Sequence, residues 1–267
     1  MPPPEPLPEL RTLVGRPGGD WLPAEARQVL EREVLPAWLP LRRWFGSKDA
    51  QPAGLVARFA YAVPLQAGLE PLLLAEVEAA GESWALPLAR IGEEDAAKPA
   101  GQLALARLRH GSRIGLLTDA VATDGFARAV LAACRAGRVL ATPEGELRFQ
   151  PTPALADLVL PEPPEVRRLG VEQSNTTVIL GEAVVLKLLR RVQPGLHPEA
   201  EMARHLTAAA YPGTPALLGQ VVRVAPDGTP HTLMLLQAFA RNQGDAWAWT
   251  LDWLARSVDD AALTEAE

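Results

Sequence analysis

A single lysine stands in an otherwise apolar strand pattern, and its surroundings could bind an anion. Lys187 lies within residues 183–189, which read Ala-Val-Val-Leu-Lys-Leu-Leu. A strand this apolar is predicted to be buried on both faces, and lysine is almost never buried without a partner. We therefore expect the Lys187 ammonium to point into a polar cleft and to meet an anion there. The pattern is equally compatible with an edge-strand lysine that blocks aggregation.

The segment upstream of this strand is rich in small polar side chains. Residues 172–177 read Glu-Gln-Ser-Asn-Thr-Thr, and backbone N–H, hydroxyl and amide groups can all donate hydrogen bonds to phosphate oxygens. Ser174, Asn175 and Thr176 are therefore candidate phosphate ligands. The segment lacks the glycines of a GxGxxG or Walker A loop, so an ordinary polar hairpin tip explains it equally well.

The helix predicted downstream of the lysine, at residues 198–210, carries two acids in its first turn. Either Glu199 or Glu201 could pair with Lys187. Glu199 borders the predicted inward-facing stripe of the helix, whereas Glu201 lies off it. Helical phase is least reliable in a first turn, and both acids would favour the helix dipole in any case. Both therefore remain candidate partners.

Polar loop, strand lysine and helical acid, in that order, predict an ATP site of the kinase type. In a kinase the strand lysine contacts the phosphates, and Val185 fits the small apolar position two residues earlier, over the adenine. A later predicted strand, residues 231–239, contains Leu236, Gln237 and Phe239 near its end. In a kinase this is where the two lobes join and backbone groups read the adenine edge. Any buried strand is the alternative interpretation.

Composition narrows the class of protein. The 267 residues are 48% hydrophobic and 22% charged, which is typical of a globular protein with a real core. A net charge of -6 and a pI near 5.4 give no basic footprint for nucleic acid. The single cysteine, Cys134, excludes an internal disulfide. The four histidines are scattered and lack a zinc-binding spacing, which argues against a zinc enzyme. With no secretory leader pattern and no membrane-spanning run, we expect a cytoplasmic protein.

The elements that must position these residues follow from hydrophobic period and turn signals. A first helix, kinked or broken at Pro36, is predicted at residues 23–39, and a loop at 92–99. The predicted strands are residues 54–63, 70–77, 83–87, 145–150, 166–169, 177–180, 184–189, 217–224 and 231–239. Further helices are predicted at residues 125–136, 198–210 and 244–256.

Four stretches, residues 41–49, 170–178, 186–201 and 236–247, resemble segments of bacterial maltokinase. The first, Leu-Arg-Arg-Trp-Phe-Gly-Ser-Lys-Asp, is similar to the Arg-Trp-Phe-Gly-x-Lys signature of the maltokinase cap, and the last has Ala246 where glycine is expected. The family makes maltose 1-phosphate from ATP and maltose in trehalose and glycogen metabolism, and is sometimes fused to trehalose synthase.

The resemblance implies an α+β, aminoglycoside-phosphotransferase-like fold. Residues 1–95 would form the N-terminal cap, a small sheet with a helix. Residues 96–240 would form an intermediate region and the kinase-like N-lobe. Residues 241–267 would form the hinge exit and the first helix of a C-lobe that is largely absent.

The resemblance also implies which residues bind ATP. They would be Ser174, Asn175, Thr176, Val185, Lys187, Glu199, Glu201, Leu236, Gln237 and Phe239. The family's catalytic base lies in a His-Gly-Asp loop of the C-lobe, with a magnesium-binding Asp later, and no histidine in this sequence is followed by Gly-Asp. We therefore assign no catalytic or metal-binding residue and expect the ATP-binding half of a maltokinase, inactive alone.

Two other functions remain open. The chain could be a non-catalytic module that associates with trehalose synthase or a separate C-lobe, with Trp247, Trp249 and Trp253 on an apolar contact face. It could also be another small-molecule kinase of the aminoglycoside phosphotransferase type.

Trp44 and Phe45 of the cap signature are predicted to be core anchors.

Overall fold

The computed structural model describes residues 10–15, 22–46, 54–66, 71–168, 175–241 and 246–265. The strands within these ranges are β1 (Thr12–Gly15), β2 (Ala57–Gln66), β3 (Leu72–Ala79), β4 (Glu82–Ala85), β5 (Leu88–Gly92), β6 (Ala104–His110), β7 (Arg113–Asp119), β8 (Val139–Thr142), β9 (Gly145–Pro151), β10 (Val166–Arg168), β11 (Asn175–Leu180), β12 (Val184–Leu189), β13 (Arg191–Val192), β14 (Leu217–Val224) and β15 (Pro230–Ala238). The helices are α1 (Ala24–Val29), α2 (Leu35–Trp38), α3 (Pro99–Gln102), α4 (Asp124–Arg135), α5 (Pro153–Ala156), α6 (Pro198–Ala208) and α7 (Ala246–Glu265).

The first sheet has eight strands in the order β1-β6-β7-β5-β3-β4-β13, with β2 paired to β3. The first helical segment packs its apolar residues, among them Leu30, Leu35 and Trp38, against one face of this sheet. Trp44 and Phe45 are buried in the same cluster, so the prediction that they are core anchors is confirmed. The sheet and helix together give the N-terminal part of the chain its own core.

Pro36 does not break the first helix. A π-helical turn, Leu30–Val34, joins α1 to α2, and the Leu35 N–H donates to the Leu30 carbonyl five residues back. Proline has no N–H and its ring clashes with the carbonyl four residues earlier. The wider π turn removes that conflict while the helix continues.

The second sheet has seven antiparallel strands in the order β10-β11-β12-β15-β14-β9-β8. The β11–β12 hairpin turns at Gly181 and Glu182, both with positive φ, which is the requirement of a tight type I′ turn. The predicted hairpin turn at Asp227-Gly228 joins β14 to β15, and the Gly228 N–H donates to the Ala225 carbonyl. The lysine strand β12 therefore lies inside the sheet, paired on both sides, and not at an edge.

A shared core lies between the two sheets. Helix α4 supplies Phe126, Val130 and Leu131 to this core, and β11, β12, β14 and β15 supply residues such as Leu186 and Leu236. Cys134 of α4 is buried in it, and burial raises the pKa of its thiol to about 12, as expected of a structural cysteine. Helix α6 packs on the opposite face of the second sheet.

The α+β prediction is confirmed, but the first sheet is larger than predicted. Strands β6 and β7 form a hairpin where the sequence predicted no strand. Alanine, present as Ala104 and Ala106 in β6, is depleted in strands, and pairing with β1 and β5 overrides that preference. Strands β1, β5, β8 and β13 were not predicted either, and a 3-10 turn lies in the predicted loop at 92–99. The last helix extends beyond the predicted residue 256 because no Gly or Pro interrupts residues 257–265.

The predicted domain boundary at residue 95 stays a prediction. The first sheet continues past it, since β7 ends at Asp119. Among the helices that the structure describes, none combines the length and the apolar character that crossing a bilayer requires.

Candidate functional site

The structure pairs Lys187 with Glu199. The Lys187 Nζ donates to the Glu199 Oε2 at 2.5 Å, across the gap between β12 and the first turn of α6. Both side chains are partly accessible, 25% for Lys187 and 33% for Glu199. Glu201 is exposed and forms no ion pair with Lys187 among the described residues. Of the two acids left open by the sequence, Glu199 is therefore the partner.

Strand register defines which residues share the face of Lys187. In an antiparallel pair, residues directly opposite each other project their side chains to the same side. Thr177 lies opposite Lys187 on β11, and Leu235 lies opposite it on β15. Val185 and Gln237 form the next pair on this face. Lys187, Val185, Gln237 and Thr177 are thus brought together, beside Glu199.

The polar residues upstream divide between the two faces. Asn175 lies opposite Leu189 and shares the face of Lys187. Thr176 lies opposite Leu188, on the other face, where its Oγ1 accepts a hydrogen bond from the Arg190 Nε at 2.9 Å. Thr176 is therefore not with Lys187, and Thr177, which sequence reasoning did not select, takes that place. Strand alternation counted back from Lys187 could have found it. Ser174 lies outside the described residues.

The residues predicted at the end of the last strand also divide. The Leu236 side chain is fully buried in the core between the sheets, because it lies opposite Leu186, so only Gln237 faces the Lys187 side. Phe239 follows β15, is half-buried, and donates its N–H to the Ala183 carbonyl at 2.8 Å. This places Phe239 beside the hairpin end of β12, near Val185.

His197 is a residue of the site that sequence reasoning missed. It immediately precedes α6, and burial lowers the pKa of its imidazole, with the Lys187 ammonium lowering it further and the Glu199 carboxylate opposing both. The Nδ1 of His197 is buried without a hydrogen-bond partner among the described residues. Its position between the lysine strand and the helical acid, at the predicted helix start, was the available signal.

The opposite face of the lysine strand holds a buried arginine. Arg190 is 2% exposed and pairs with Asp119, 1% exposed, at 2.6 Å. Its Nη1 donates to the Ala85 carbonyl at 3.2 Å, and its guanidinium lies 4.5 Å from the centre of the Trp44 ring. Arg190 thereby joins the second sheet to the first sheet and to the cap signature.

A second buried pair joins the two sheets further along. Arg223 of β14 forms two hydrogen bonds with Glu76 of β3, at 3.0 and 3.1 Å, and a third with the Glu144 carbonyl at 3.1 Å. Tyr61 lies beside this pair, and burial, with the nearby Glu76 carboxylate, raises the pKa of its phenol well above the ordinary value. These two pairs face the core and leave no group for a ligand.

The Lys187 face has the hydrogen-bond donors that a nucleoside triphosphate needs. Its ammonium, the Thr177 hydroxyl and the Asn175 amide can donate to phosphate oxygens, and Val185 offers an apolar surface to a base. No group of three or more His, Cys, Asp or Glu side chains that could hold a metal ion lies in the described part of the chain. The donors and the apolar surface of this face fit ATP, and we assign no magnesium ligand.

Comparison with known proteins identifies a family match in the N-terminal part of the chain. Residues 38–123 match the maltokinase N-terminal cap domain, which confirms the predicted resemblance for that part of the chain. A glucosamine kinase of Mycolicibacterium smegmatis is 26% identical over 100 residues, which cover 38% of this chain and 25% of the relative. Similarity to sugar kinases therefore extends over part of the sequence.

Solved structures of glucosamine kinase also align with the chain. A complex with glucosamine, ADP and inorganic phosphate aligns at 21% identity and a TM-score of 0.47, covering 73% of this chain and 38% of that one. A second crystal form aligns at 19% identity and a TM-score of 0.48, covering 84% and 42%. The chain thus spans about a quarter of the curated relative it matches and less than half of these structures.

Proposed function

We propose that this chain is the ATP-binding portion of a cytoplasmic sugar kinase of the maltokinase type, which transfers the γ-phosphoryl group of ATP to maltose. The observation that carries the proposal is the Lys187–Glu199 pair on the accessible face of an otherwise buried strand. A lysine paired with a helical acid is the arrangement that kinases use to hold ATP phosphates. The cap match over residues 38–123 supports the maltokinase type.

In this proposal each residue on the Lys187 face has one task. Lys187 binds the phosphates, and Glu199 fixes the direction of the ammonium. Asn175 and Thr177 donate to phosphate oxygens, a role that the sequence predicted for Ser174, Asn175 and Thr176. Val185 contacts the adenine, and the backbone near Gln237 and Phe239 reads its edge.

The sugar acceptor is the finer part of the proposal. Maltose is favoured by the cap, whereas the curated relative is named glucosamine kinase, which favours an amino sugar as the second candidate. The proposed residues bind nucleotide but include no group that would accept the sugar hydroxyl proton. We therefore expect the 267-residue chain alone to release no ADP in the presence of maltose, and robust turnover would contradict this.

A calorimetric titration of the purified chain with ATP and Mg²⁺ tests nucleotide binding. We expect saturable binding that Lys187→Ala weakens at least tenfold, because the phosphates lose their charged donor. Lys98→Ala is the matched control, since Lys98 is an exposed lysine paired with Asp95 in the connection between β5 and β6. Equal ATP affinity in wild type and Lys187→Ala would overturn the proposed site.

A second candidate function is suggested by the surface of α7. Trp247, Trp249 and Trp253 are 71%, 59% and 51% exposed on this helix. Trp249 and Trp253 are four positions apart and share one face of it, and an exposed apolar face marks an interaction site. Because the relatives extend well beyond the aligned region, we propose a separate kinase C-lobe as the occupant, with trehalose synthase as the other partner to test.

Co-purification with a separately expressed C-lobe tests this second function. We expect a complex that Trp249→Glu and Trp253→Glu together abolish, while ATP binding by the chain is unchanged. Failure of both partners to bind the wild-type chain would exclude the second candidate.

A further inference from the structure

Helix α6, which carries Glu199, has a small apolar contact with the sheet. Its buried side chains are Ala200 and Ala203, and they pack on Leu217 and Leu235. Met202 is exposed, so the longest apolar side chain of the helix contributes little. Alanine side chains bury little area and interdigitate poorly. The position of the helix therefore needs another restraint.

A chain of polar side chains supplies it. The Arg204 Nη2 donates to the Gln220 Oε1 at 2.7 Å, and the Gln220 Nε2 donates to the Gln150 Oε1 at 2.5 Å. Arginine can only donate, so it fixes the orientation of the Gln220 amide, which in turn must donate to Gln150. The chain joins α6 to β14 and β9, and Gln220 is buried within it.

The two polar attachments lie at different places along the helix. Glu199 contacts β12, whereas Arg204 contacts β14, and β15 lies between these strands. Glu199 and Arg204 are five positions apart in sequence, about 7.5 Å along a helix axis. Attachment at two separated points on different strands restrains both the rotation and the sliding of α6. The Thr207 hydroxyl adds a third contact by accepting the Leu217 N–H at 2.7 Å.

We propose that Arg204 is a positioning residue that acts through Gln220 and Gln150 to hold Glu199 against Lys187 before any nucleotide binds. The importance of this for ATP rests on the proposed function. The positioning itself does not, because it concerns a contact within the chain. Loss of the polar chain should leave α6 folded but free to shift, so that the Lys187 amine spends more time unpaired.

Acylation of Lys187 in the absence of nucleotide tests the positioning directly. A limiting amount of N-hydroxysuccinimide acetate is added, and modification is measured by mass spectrometry with Lys98 as the internal reference. We expect Arg204→Met to raise the Lys187 labelling rate at least threefold. His205→Ala, which removes no hydrogen bond to Gln220, should leave it unchanged. Gln220→Glu strengthens the bond to Arg204 by charge and can accept from the Gln150 amide once that amide has turned round, so it should not raise the rate. Unchanged labelling in Arg204→Met, or a rise in Gln220→Glu equal to that of Arg204→Met, overturns the proposal.

ATP titration of the same variants separates the two proposals. If wild type binds ATP, Arg204→Met should weaken ATP binding about threefold to tenfold. In the Glu199→Gln background, Arg204→Met should not weaken ATP binding further, because both changes remove the same restraint. Full additivity of the two changes would contradict a role through Glu199. If wild type binds no ATP, the proposed function fails, and the labelling rates alone decide the role of Arg204. If Arg204→Met does not fold, Gln150→Leu takes its place in the labelling assay, with the same expected rise in the Lys187 labelling rate.

Discussion

Lys187 and Arg190 lie three residues apart on one stretch of chain, yet they have opposite surroundings. The Lys187 ammonium has one acidic partner and stays partly accessible. The Arg190 guanidinium is buried, donates from all three nitrogens and lies over Trp44. The Lys187 ammonium is accessible to a ligand, whereas the Arg190 guanidinium is enclosed by its protein partners. The chain turns from the second sheet into β13 of the first sheet at Arg190, which explains the change.

The difference teaches how to separate a binding charge from a structural one. A buried charge is tolerated when its partners satisfy it. Arg190 therefore has a structural role, joining the two sheets. A partly exposed ion pair contributes little to stability, so stability alone does not explain a lysine inside an apolar strand. Arg190 therefore supports the fold, and we expect Lys187 to support binding.

The largest expected effect is on stability at Arg190. Arg190→Met leaves the Asp119 carboxylate buried without its partner, which costs about 3–5 kcal/mol of unfolding free energy. Urea denaturation followed by far-ultraviolet circular dichroism measures it. Arg191→Met is the matched control, since its pair with Glu82 is exposed and is worth less than about 1 kcal/mol. Equal losses in the two variants would contradict the structural role of Arg190.

A smaller effect, with a distinctive sign, is expected at the second inter-sheet pair. Glu76→Leu should cost about 3 kcal/mol because Arg223 remains buried and charged, with the Glu144 carbonyl still accepting one bond. The double variant Glu76→Leu with Arg223→Met should be more stable than Glu76→Leu alone, since both buried charges are gone. A double-mutant cycle by urea denaturation measures this, and simple additivity would contradict it.

The smallest expected effect is a pH dependence from His197 and His231. Burial lowers the pKa of both imidazoles below 6.5 in the folded chain. The unfolded chain then binds more protons in this window, so stability rises with pH up to about 6.5 and falls as pH drops below it. His197→Gln with His231→Gln should flatten the dependence of the urea midpoint on pH between pH 5 and 7. An unchanged slope in the double variant would exclude these two histidines.

Much of the second sheet could be predicted from sequence. The Leu217–Val224 and Val184–Leu189 strands were predicted at their observed bounds, because β-branched and aliphatic runs end at clear turn residues. The hairpin β6–β7 could not be predicted, since its alanines carry no strand preference and its stability comes from partners distant in sequence. The inter-sheet ion pairs were equally hidden, because Glu76 and Arg223 are 147 residues apart.

The candidate site shows the same division. The lysine, the helical acid and the order of the parts were readable from the sequence. The choice of Thr177 over Thr176 was not made, because it depends on the register in which β11 pairs with β12. The role of Arg204 depends on side chains from three different elements, and no local pattern indicates such a contact.

One measurement tests the central comparison most directly: the increase in unfolding free energy that saturating ATP and Mg²⁺ produce in wild type, Lys187→Met and Arg191→Met. At a ligand concentration of a hundred times Kd, binding stabilises a fold by about 2.7 kcal/mol. We expect that increase in wild type and in Arg191→Met. Lys187→Met should keep its unliganded stability to within about 1 kcal/mol and, with ATP binding at least tenfold weaker, show no more than about half of the increase. Two results would contradict the account: a Lys187→Met chain that keeps the full ATP-dependent increase, or one that loses as much unliganded stability as Arg190→Met is expected to lose.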